Sequence, residues 1–311
     1  MKKTKTIYKI LTITSLIVFV AFFSCATDEI DLTKPIKAIE NDPDPDPDPD
    51  PDSGLLVAED EDIGAYTTCN SDGEGGQFAD IPNAVNVGTI DDRSCYADYK
   101  ESIVGGVTWG VYNITDGSNN VGTTLQPRIE RALPIANSNV GSFTKFTGDF
   151  RILEVGDAGS DVENGTYIAQ AKGKHTGGGG SPDPAICLYL AKPKYGTGVN
   201  ANIQVAFDIY AERIKERGGS GSNGREVVYL TTVDKNAITS FVLEVGFKED
   251  PSDSTKKIHY CNAIIGGEAH PWNIPDPERG TQSKIRYGAY RVKGGRAQIR
   301  WANTTHERVQ N

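Results

Sequence analysis

The segment SFVLEVGFK (240–248) sets Phe241, Leu243, Val245 and Phe247 on one side of an extended chain and Val242, Glu244 and Lys248 on the other. A period of two with one apolar side predicts a strand with one buried face. The same alternation recurs in ANIQVAFDIYA (201–211), where Ile203, Val205, Phe207 and Ile209 share a face. Strand signals continue in AICLYLA (185–191), EVVYLTTV (226–233), KIHYCNAII (257–265) and AQIRWAN (297–303). Gly, Asn, Asp and Pro clusters separate these runs, and helical periodicity is nearly absent. AERIKERGG (211–219) offers either a turn or two of helix or a strand running into a loop. Many short alternating strands without intervening helices predict an all-β antiparallel sandwich or barrel. One sheet of a sandwich this size is expected to curve and leave a concave face. No internal repeat is visible, which argues against a propeller or solenoid.

The amino-terminal end reads differently. MKKTKTIYK is a basic stretch, followed by the apolar run ILTITSLIVFVAFFS up to Cys25. That run is shorter than the roughly 20 residues a spanning helix needs and follows the pattern of a secretory signal, residues 1–24. Small Ser24 before Cys25 resembles the lipobox of bacterial lipoproteins, although Phe22 and Phe23 depart from its strict form. The acidic CATDEID that follows resembles an export tag of surface lipoproteins. Residues 25–54 then form a tether ending in NDPDPDPDPDPDS (41–53), where proline and like-charge repulsion keep the chain extended. The expectation is an exported protein, lipid-anchored at Cys25 on the bacterial outer membrane or cell surface, or secreted, with no other membrane contact.

Residues 55–311 are long enough for one all-β domain or two small ones, and are expected to be one catalytic domain that ends close behind its last strand. The whole chain carries a net charge of −10; the first 54 residues hold ten acids and six bases, which leaves −6 for the domain. Charge is unevenly spread, since Arg279 to Arg308 holds eight Lys or Arg against the single acid Glu307. A cationic ribbon in a mildly acidic protein predicts a local anion site and speaks against nucleic acid as a partner. Of five cysteines, lipidation would remove Cys25; Cys69–Cys95 is the favoured pairing and Cys187–Cys261 a second, each of the latter lying in a predicted strand. Their spacing fits no zinc pattern.

Three strands carry polar residues that a structural strand would not need. In LQPRIERAL (125–133), Gln126, Arg128 and Glu130 share a face, with Ile129, Arg131 and Leu133 opposite. In TYIAQAKGK (166–174), Ile168, Gln170, Lys172 and Lys174 alternate with Tyr167, Ala169 and Ala171. In KIRYGAYRVKGG (284–295), Lys284, Arg286 and Tyr290 share a face on which Gly288 is expected to leave a gap, and Tyr287, like Trp301, belongs to the core. Between the last two lies GKHTGGGGSPDP (173–184), a long loop expected to act as a lid; it has neither the Lys-Ser/Thr nor the helix of a phosphate loop.

Together these segments resemble the β-jelly-roll polysaccharide lyases. The alginate-lyase branch has an Arg-x-Glu strand, a Gln-x-His strand and a carboxy-terminal Phe-Lys-x-Gly-x-Tyr strand. This chain offers Arg128-Ile129-Glu130, then Gln170-Ala171-Lys172, then Ile285-Arg286-Tyr287-Gly288-Ala289-Tyr290, in the same order. Lys172 stands where the alginate lyases have His. With the lipoprotein-like start and FTGDFRILEVGD (146–157), the chain is most similar to the ulvan lyases of polysaccharide lyase family 28. The resemblance implies a jelly-roll sandwich of two antiparallel sheets with a concave substrate groove. It further implies an endolytic lyase, a monomer, acting on the anionic polysaccharide ulvan.

The chemistry such a lyase needs can be laid on these residues. Eliminating a 4-linked uronate requires removal of a weakly acidic C5 proton, so donors must hold the charge that builds on the adjacent carboxylate. Lys172, Gln170 and Arg128 suit that task. Tyr290 would take the C5 proton and return it to the departing O4, its phenolate favoured by Arg286, Lys284 and Lys172. One group serving as base and acid requires proton and leaving group on the same side of the ring, which suits glucuronate. Iduronate or guluronate would want a base opposite, for which His175 is the candidate; its plainer reading is an exposed loop residue. Arg286, Lys284, Glu130, Lys174 and His175 are the expected substrate contacts. No cofactor is required; a structural Ca²⁺ would find acidic loops such as DAGSD (157–161), without an EF-hand pattern.

Two other function classes are compatible with such a fold. A non-catalytic glycan-binding module would use the cations and have no use for Tyr290. A glycoside hydrolase would need two facing carboxylates, which no strand supplies. Alginate or glucuronan is the alternative substrate for a lyase.

Overall fold

The computed structural model describes residues 81–93, 97–114, 127–157, 164–177, 185–219, 224–291 and 295–311. The apolar leader, Cys25, the Asp-Pro tether, the Cys69–Cys95 pairing, Gln126 and all but Asp157 of the DAGSD loop lie outside them.

The described strands build two antiparallel sheets. The first runs in the order β1 (Thr89–Arg93), β4 (Arg128–Ala132), β14 (Gln282–Arg291), β7 (Thr166–Lys172), β8 (Ala185–Tyr195), β9 (Gln204–Ile214), β10 (Arg225–Asp234), with the short β5 (Ala136–Asn137) beside β14. The second runs β13 (Glu268–Ile274), β12 (Asp253–Ile265), β11 (Thr239–Asp250), β6 (Phe143–Glu154), β15 (Ala297–Val309), β3 (Val107–Ile114), β2 (Ala97–Val104). The chain crosses repeatedly between them, giving an all-β jelly-roll sandwich. AERIKERGG resolves as the end of β9 running into a turn rather than a helix.

The apolar side of SFVLEVGFK faces the other sheet as expected: Phe241, Leu243, Val245 and Phe247 are all buried. Around Phe241 an aromatic cluster joins the sheets. Tyr287 of β14 stacks on Phe146 of β6 at 4.2 Å between centroids and meets Trp301 of β15 edge-on at 5.4 Å. Such pairs add about 0.5–1.5 kcal/mol each beyond their burial, so β14 is pinned at its centre. In ANIQVAFDIYA only the second half follows the expected pattern. Phe207 and Ile209 are buried, whereas Ile203 and Val205 are 47% and 41% exposed: Ile203 precedes β9, and Val205 falls at a register shift between the Tyr195–Gln204 and Lys194–Ala206 rungs. Cys187 and Cys261 are buried thiols rather than the expected disulfide. They approach from opposite sheets as hydrogen-bonded groups, with the Tyr189 hydroxyl 3.4 Å from Cys261 Sγ.

A second buried group sits where β12 faces the start of β14. His259 Nδ1 lies 2.6 Å from Arg217 Nη2, and its Nε2 lies 3.0 Å from Ser283 Oγ. A guanidinium can only donate, so Nδ1 accepts and the proton is on Nε2, which donates to Ser283. The imidazole also stacks on Phe247 at 4.0 Å. Burial first, then Arg217 and Lys257, hold the imidazole well below its ordinary range, so it stays neutral in the folded protein. The unfolded chain binds this proton below about pH 6.5 while the folded one resists it, so stability is full above that pH and is lost as pH falls. The slope approaches about 1.4 kcal/mol per pH unit. Thermal unfolding of the wild type should therefore drop between pH 7 and pH 5 more steeply than that of a His259→Asn variant. Parallel slopes would contradict it.

Candidate active site

β14 lies between β4 and β7, and its register decides what meets what. Tyr290 stands opposite Arg128 on one side and Tyr167 on the other. Arg286 stands opposite Gln170, and Lys284 opposite Lys172. Lys284, Arg286 and Tyr290 thus line the outer face while Ile285, Tyr287 and Ala289 enter the core. The Lys172–Lys284 rung sets two cations side by side on the outer face.

Gly288 does something other than leave a gap. Its φ is +143°, and an added Cβ would lie 2.3 Å from the Ile129 carbonyl oxygen and 2.9 Å from the Tyr112 ring of the opposite sheet. The glycine permits close backbone approach at a register shift between Tyr287 and Tyr290, matched on β7 by one between Tyr167 and Ala169. Bulges of this kind bend a strand and re-aim its side chains. Both fall between the Tyr290 rung and the Gln170 rung.

The β7 shift overturns part of the expected alternation. Ile168 goes into the core beside Ala169 and Ala171, and Tyr167 turns to the outer face with Leu188, Leu190 and Tyr290. Tyr290 is therefore enclosed by aromatic and cationic groups. The Arg128 guanidinium carbon is 4.1 Å from the Tyr290 ring centroid, and the Tyr167 ring is 5.1 Å away, tilted 53°. Tyr167 donates to Glu212 Oε2 at 2.6 Å, and Glu212 pairs with Arg225 at 3.4 Å. Burial and the Glu212 carboxylate push the Tyr167 hydroxyl far up, so it remains protonated. The two neighbouring tyrosines are thereby unequal: Tyr167 faces a carboxylate and Tyr290 a guanidinium.

Gln170 and Glu130 form the floor, 2% and 1% exposed, with Gln170 Nε2 donating to Glu130 Oε1 at 2.5 Å. The carboxylate fixes the amide orientation. Glu130, as buried as Gln170, accepts the amide proton of Gln170 and so braces it. Lys172, Arg286 and Lys284 are half-buried along the same face, and Lys174 is exposed beyond them.

The start of the glycine-rich loop is tied down. Thr281 N donates to the Lys174 carbonyl at 2.9 Å, His175 bridges Gly280, and Thr176 N donates to the Arg279 carbonyl at 2.9 Å. The Arg279 side chain adds Nε to the Thr176 carbonyl at 2.8 Å and Nη2 to the Gly177 carbonyl at 2.5 Å. Gly280 allows this because a Cβ there would fall 2.9 Å from His259 Nδ1 and 3.0 Å from Arg217 Nη2. Residues 174–177 thus extend the β7–β14 pairing instead of forming a free lid; 178–184 lie outside the described residues. Ten residues of extended chain, about 33 Å, separate Gly280 from Tyr290. By register His175 lies beside Gly280, at the far end of β14 from Tyr290.

The sequence pattern missed Tyr167, Glu212 and Arg279. Only Tyr167 left a signal, an aromatic residue opening a strand of otherwise small apolar residues. Among the described residues no group of three or more His, Cys, Asp or Glu side chains is placed to hold a metal ion. Trp109 is buried under Arg151, and Trp272 packs at the core margin beneath Arg213, so neither offers a ring to the groove.

A family model described as PL28 ulvan lyases matches residues 57–310. An endo-acting ulvan lyase of Formosa agariphila is 67% identical over 257 residues, covering 82% of this chain and 50% of that protein. Ulvan lyase NLR42 of Nonlabens ulvanivorans is 57% identical over 262 residues, covering 82% and 49%. The chain spans about half the length of the curated relatives it matches. Among solved structures, alginate lyase AlyC3 aligns with a TM-score of 0.46 at 12% identity, over 64% of this chain and 75% of that one. The exolytic PL7 alginate lyase AlyA5 of Zobellia galactanivorans aligns with a TM-score of 0.46 at 12% identity, over 72% and 90%.

Proposed function

Because this chain belongs to the PL28 ulvan lyases, we propose that it cleaves ulvan by β-elimination at a 4-linked uronate, glucuronate by preference, from within the polymer. The observation that carries this reading is Tyr290 held between the Arg128 guanidinium and Tyr167 on an outer face lined with cations. A hydrolase would need a pair of facing carboxylates, whereas the carboxylates here, Glu130 and Glu212, are engaged by Gln170, Tyr167 and Arg225.

In the proposed reaction Lys172 and the oriented Gln170 amide receive the substrate carboxylate, with Arg286 beside them. Tyr290, ionised next to Arg128, takes the C5 proton. The C5–H and C4–O4 bonds break, a C4=C5 double bond forms, and the proton passes from Tyr290 to the departing O4. A base and acid on one side of the ring fits glucuronate. All of this chemistry lies within the chain's own side chains. Export and lipid anchoring at Cys25 belong to the same proposal, supported by the basic-then-apolar amino terminus and the Asp-Pro tether.

The test is a panel of ulvan, glucuronan, alginate and pectate, followed by the ultraviolet absorbance of unsaturated uronate ends and by product size. Rapid absorbance with ulvan, with long products early, is expected. Alginate alone as substrate would overturn the specificity. The Arg279 clamp gives a second prediction. Arg279→Ala removes two charge-assisted bonds to residues 176 and 177, beside Lys174. It should raise KM for ulvan about three- to tenfold with kcat within about twofold, Arg279→Lys recovering part. An equal fall in kcat would contradict a role confined to substrate holding.

A further inference from the structure

At the β4 end of the outer face a cavity of about 550 Å³ opens, within the size range of small-ligand sites. Its wall is apolar, formed by Ala132, Leu133, Pro134 and Ile135, and two cations stand on it, Lys284 and Arg308. Lys284 also stands opposite Lys172 on the outer face, so the cavity and that face share this residue. Arg308 has a different origin. It lies on β15 in the other sheet and reaches across the edge of the sandwich, where its Nη1 donates to the Ile135 carbonyl at 3.4 Å. Gln310 Nε2 donates to the same carbonyl at 3.2 Å, which fastens the end of the chain beside the cavity. Among the described residues no carboxylate lies within ion-pair distance of Arg308, whose remaining donors are exposed. Ile135, beside it, is 40% exposed.

We propose that this cavity is a remote subsite, which takes an anion-bearing sugar residue of the substrate against its apolar wall and holds the anion between Arg308 and Lys284. The inference rests on the anionic-polysaccharide reading and extends it to a second place on the chain. Sugar rings present C–H faces that pack on aliphatic side chains, and their charged substituents are met by guanidinium and ammonium groups. A wall of Leu, Pro and Ile beneath two cations combines both requirements. Lys284 stands between Lys172 of β7 on one side and the cavity at the β4 end on the other, so the sugar bound here is a different unit from the one whose carboxylate meets Lys172. Such a contact acts on long substrates and is invisible to short ones. The anion could be another uronate carboxylate or a sulfate ester, and both carry the same recognition.

The experiment compares wild type with Arg308→Met, and with Ile135→Asn as an independent change to the apolar wall. Affinity for long ulvan is measured by electrophoresis through polymer-containing gels, alongside KM and kcat on long polymer and on the shortest cleaved oligosaccharide. The expected result is a weakening of binding and a rise in KM on long polymer of about five- to tenfold for each variant, with kinetics on the short oligosaccharide unchanged. Repeating the series on desulfated polymer identifies the anion. A loss that disappears assigns sulfate, and a loss that persists assigns carboxylate. Unchanged affinity and KM on long polymer, or equal effects on long and short substrates, would overturn the proposal. If wild type formed no unsaturated ends from any polymer, the lyase reading would fall, while the gel affinities would still decide the subsite.

Discussion

Replacing Tyr290 by Phe should reduce kcat on ulvan by about 10³-fold or more while leaving affinity for the polymer within about twofold. The change removes one oxygen and keeps the ring that contacts Arg128 and Tyr167. The cation–π contact and the aromatic packing survive, so the ring keeps its place. What is lost is the oxygen that moves the proton. Tyr167 cannot take over, because burial and the Glu212 carboxylate keep its hydroxyl protonated. The double variant Tyr167→Phe/Tyr290→Phe should therefore be no slower than the Tyr290 variant. Kinetics with ulvan, paired with gel affinity measurements, check this. A Tyr290→Phe enzyme that keeps more than a tenth of its activity would remove the phenol from the mechanism.

The second large effect is expected at Arg128. Arg128→Met should lower kcat about 10²-fold, the usual loss when one preorganised charged group beside a reacting atom is removed. Met preserves bulk and apolar contact with the Tyr290 ring, so the loss reports on charge. Arg128→Lys should recover little. The planar guanidinium lies over the ring at 4.1 Å, and an ammonium point charge on a flexible stem does not reproduce a stacked geometry. Steady-state kinetics of both variants, with thermal unfolding as the check on folding, decide the matter. Near-complete recovery by Lys would mean that Arg128 supplies only diffuse positive charge.

Much of this architecture is legible in the chain, and the exceptions share a cause. Strict alternation identified the buried faces of β11 and β14 because neither sheet register nor partner is needed to count every second residue. The outer face of β14, with Lys284, Arg286 and Tyr290, followed from the same count. Counting failed on β7, where a register shift beside Tyr167 exchanged it with Ile168. That shift depends on β8, whose pairing the sequence does not reveal. The roles of Gly288 and Gly280 were likewise invisible, since each is set by atoms of another strand or of the opposite sheet. Glu212 is 45 residues from Tyr167, and Arg308 is 173 residues from the Ile135 carbonyl it contacts. Partnerships of that range are fixed by topology rather than by local pattern. The disulfide expected from composition failed for a related reason. Cys187 and Cys261 do approach across the core, yet they do so as thiols packed against Tyr189. The Gln-x-Lys spacing was informative because its two residues sit on one face of one strand and meet Arg286 and Lys284 directly across β14.

Elimination is the step on which the roles of Tyr290, Lys172 and Arg128 all depend, and it is open to one direct measurement. The purified protein is incubated with ulvan, and new reducing ends are counted against unsaturated uronate ends, read by ultraviolet absorbance in the same samples. Elimination yields one unsaturated end for each reducing end throughout the reaction, and that is the expected result. Reducing ends that accumulate without the absorbance would show hydrolysis instead, and would contradict proton transfer by Tyr290.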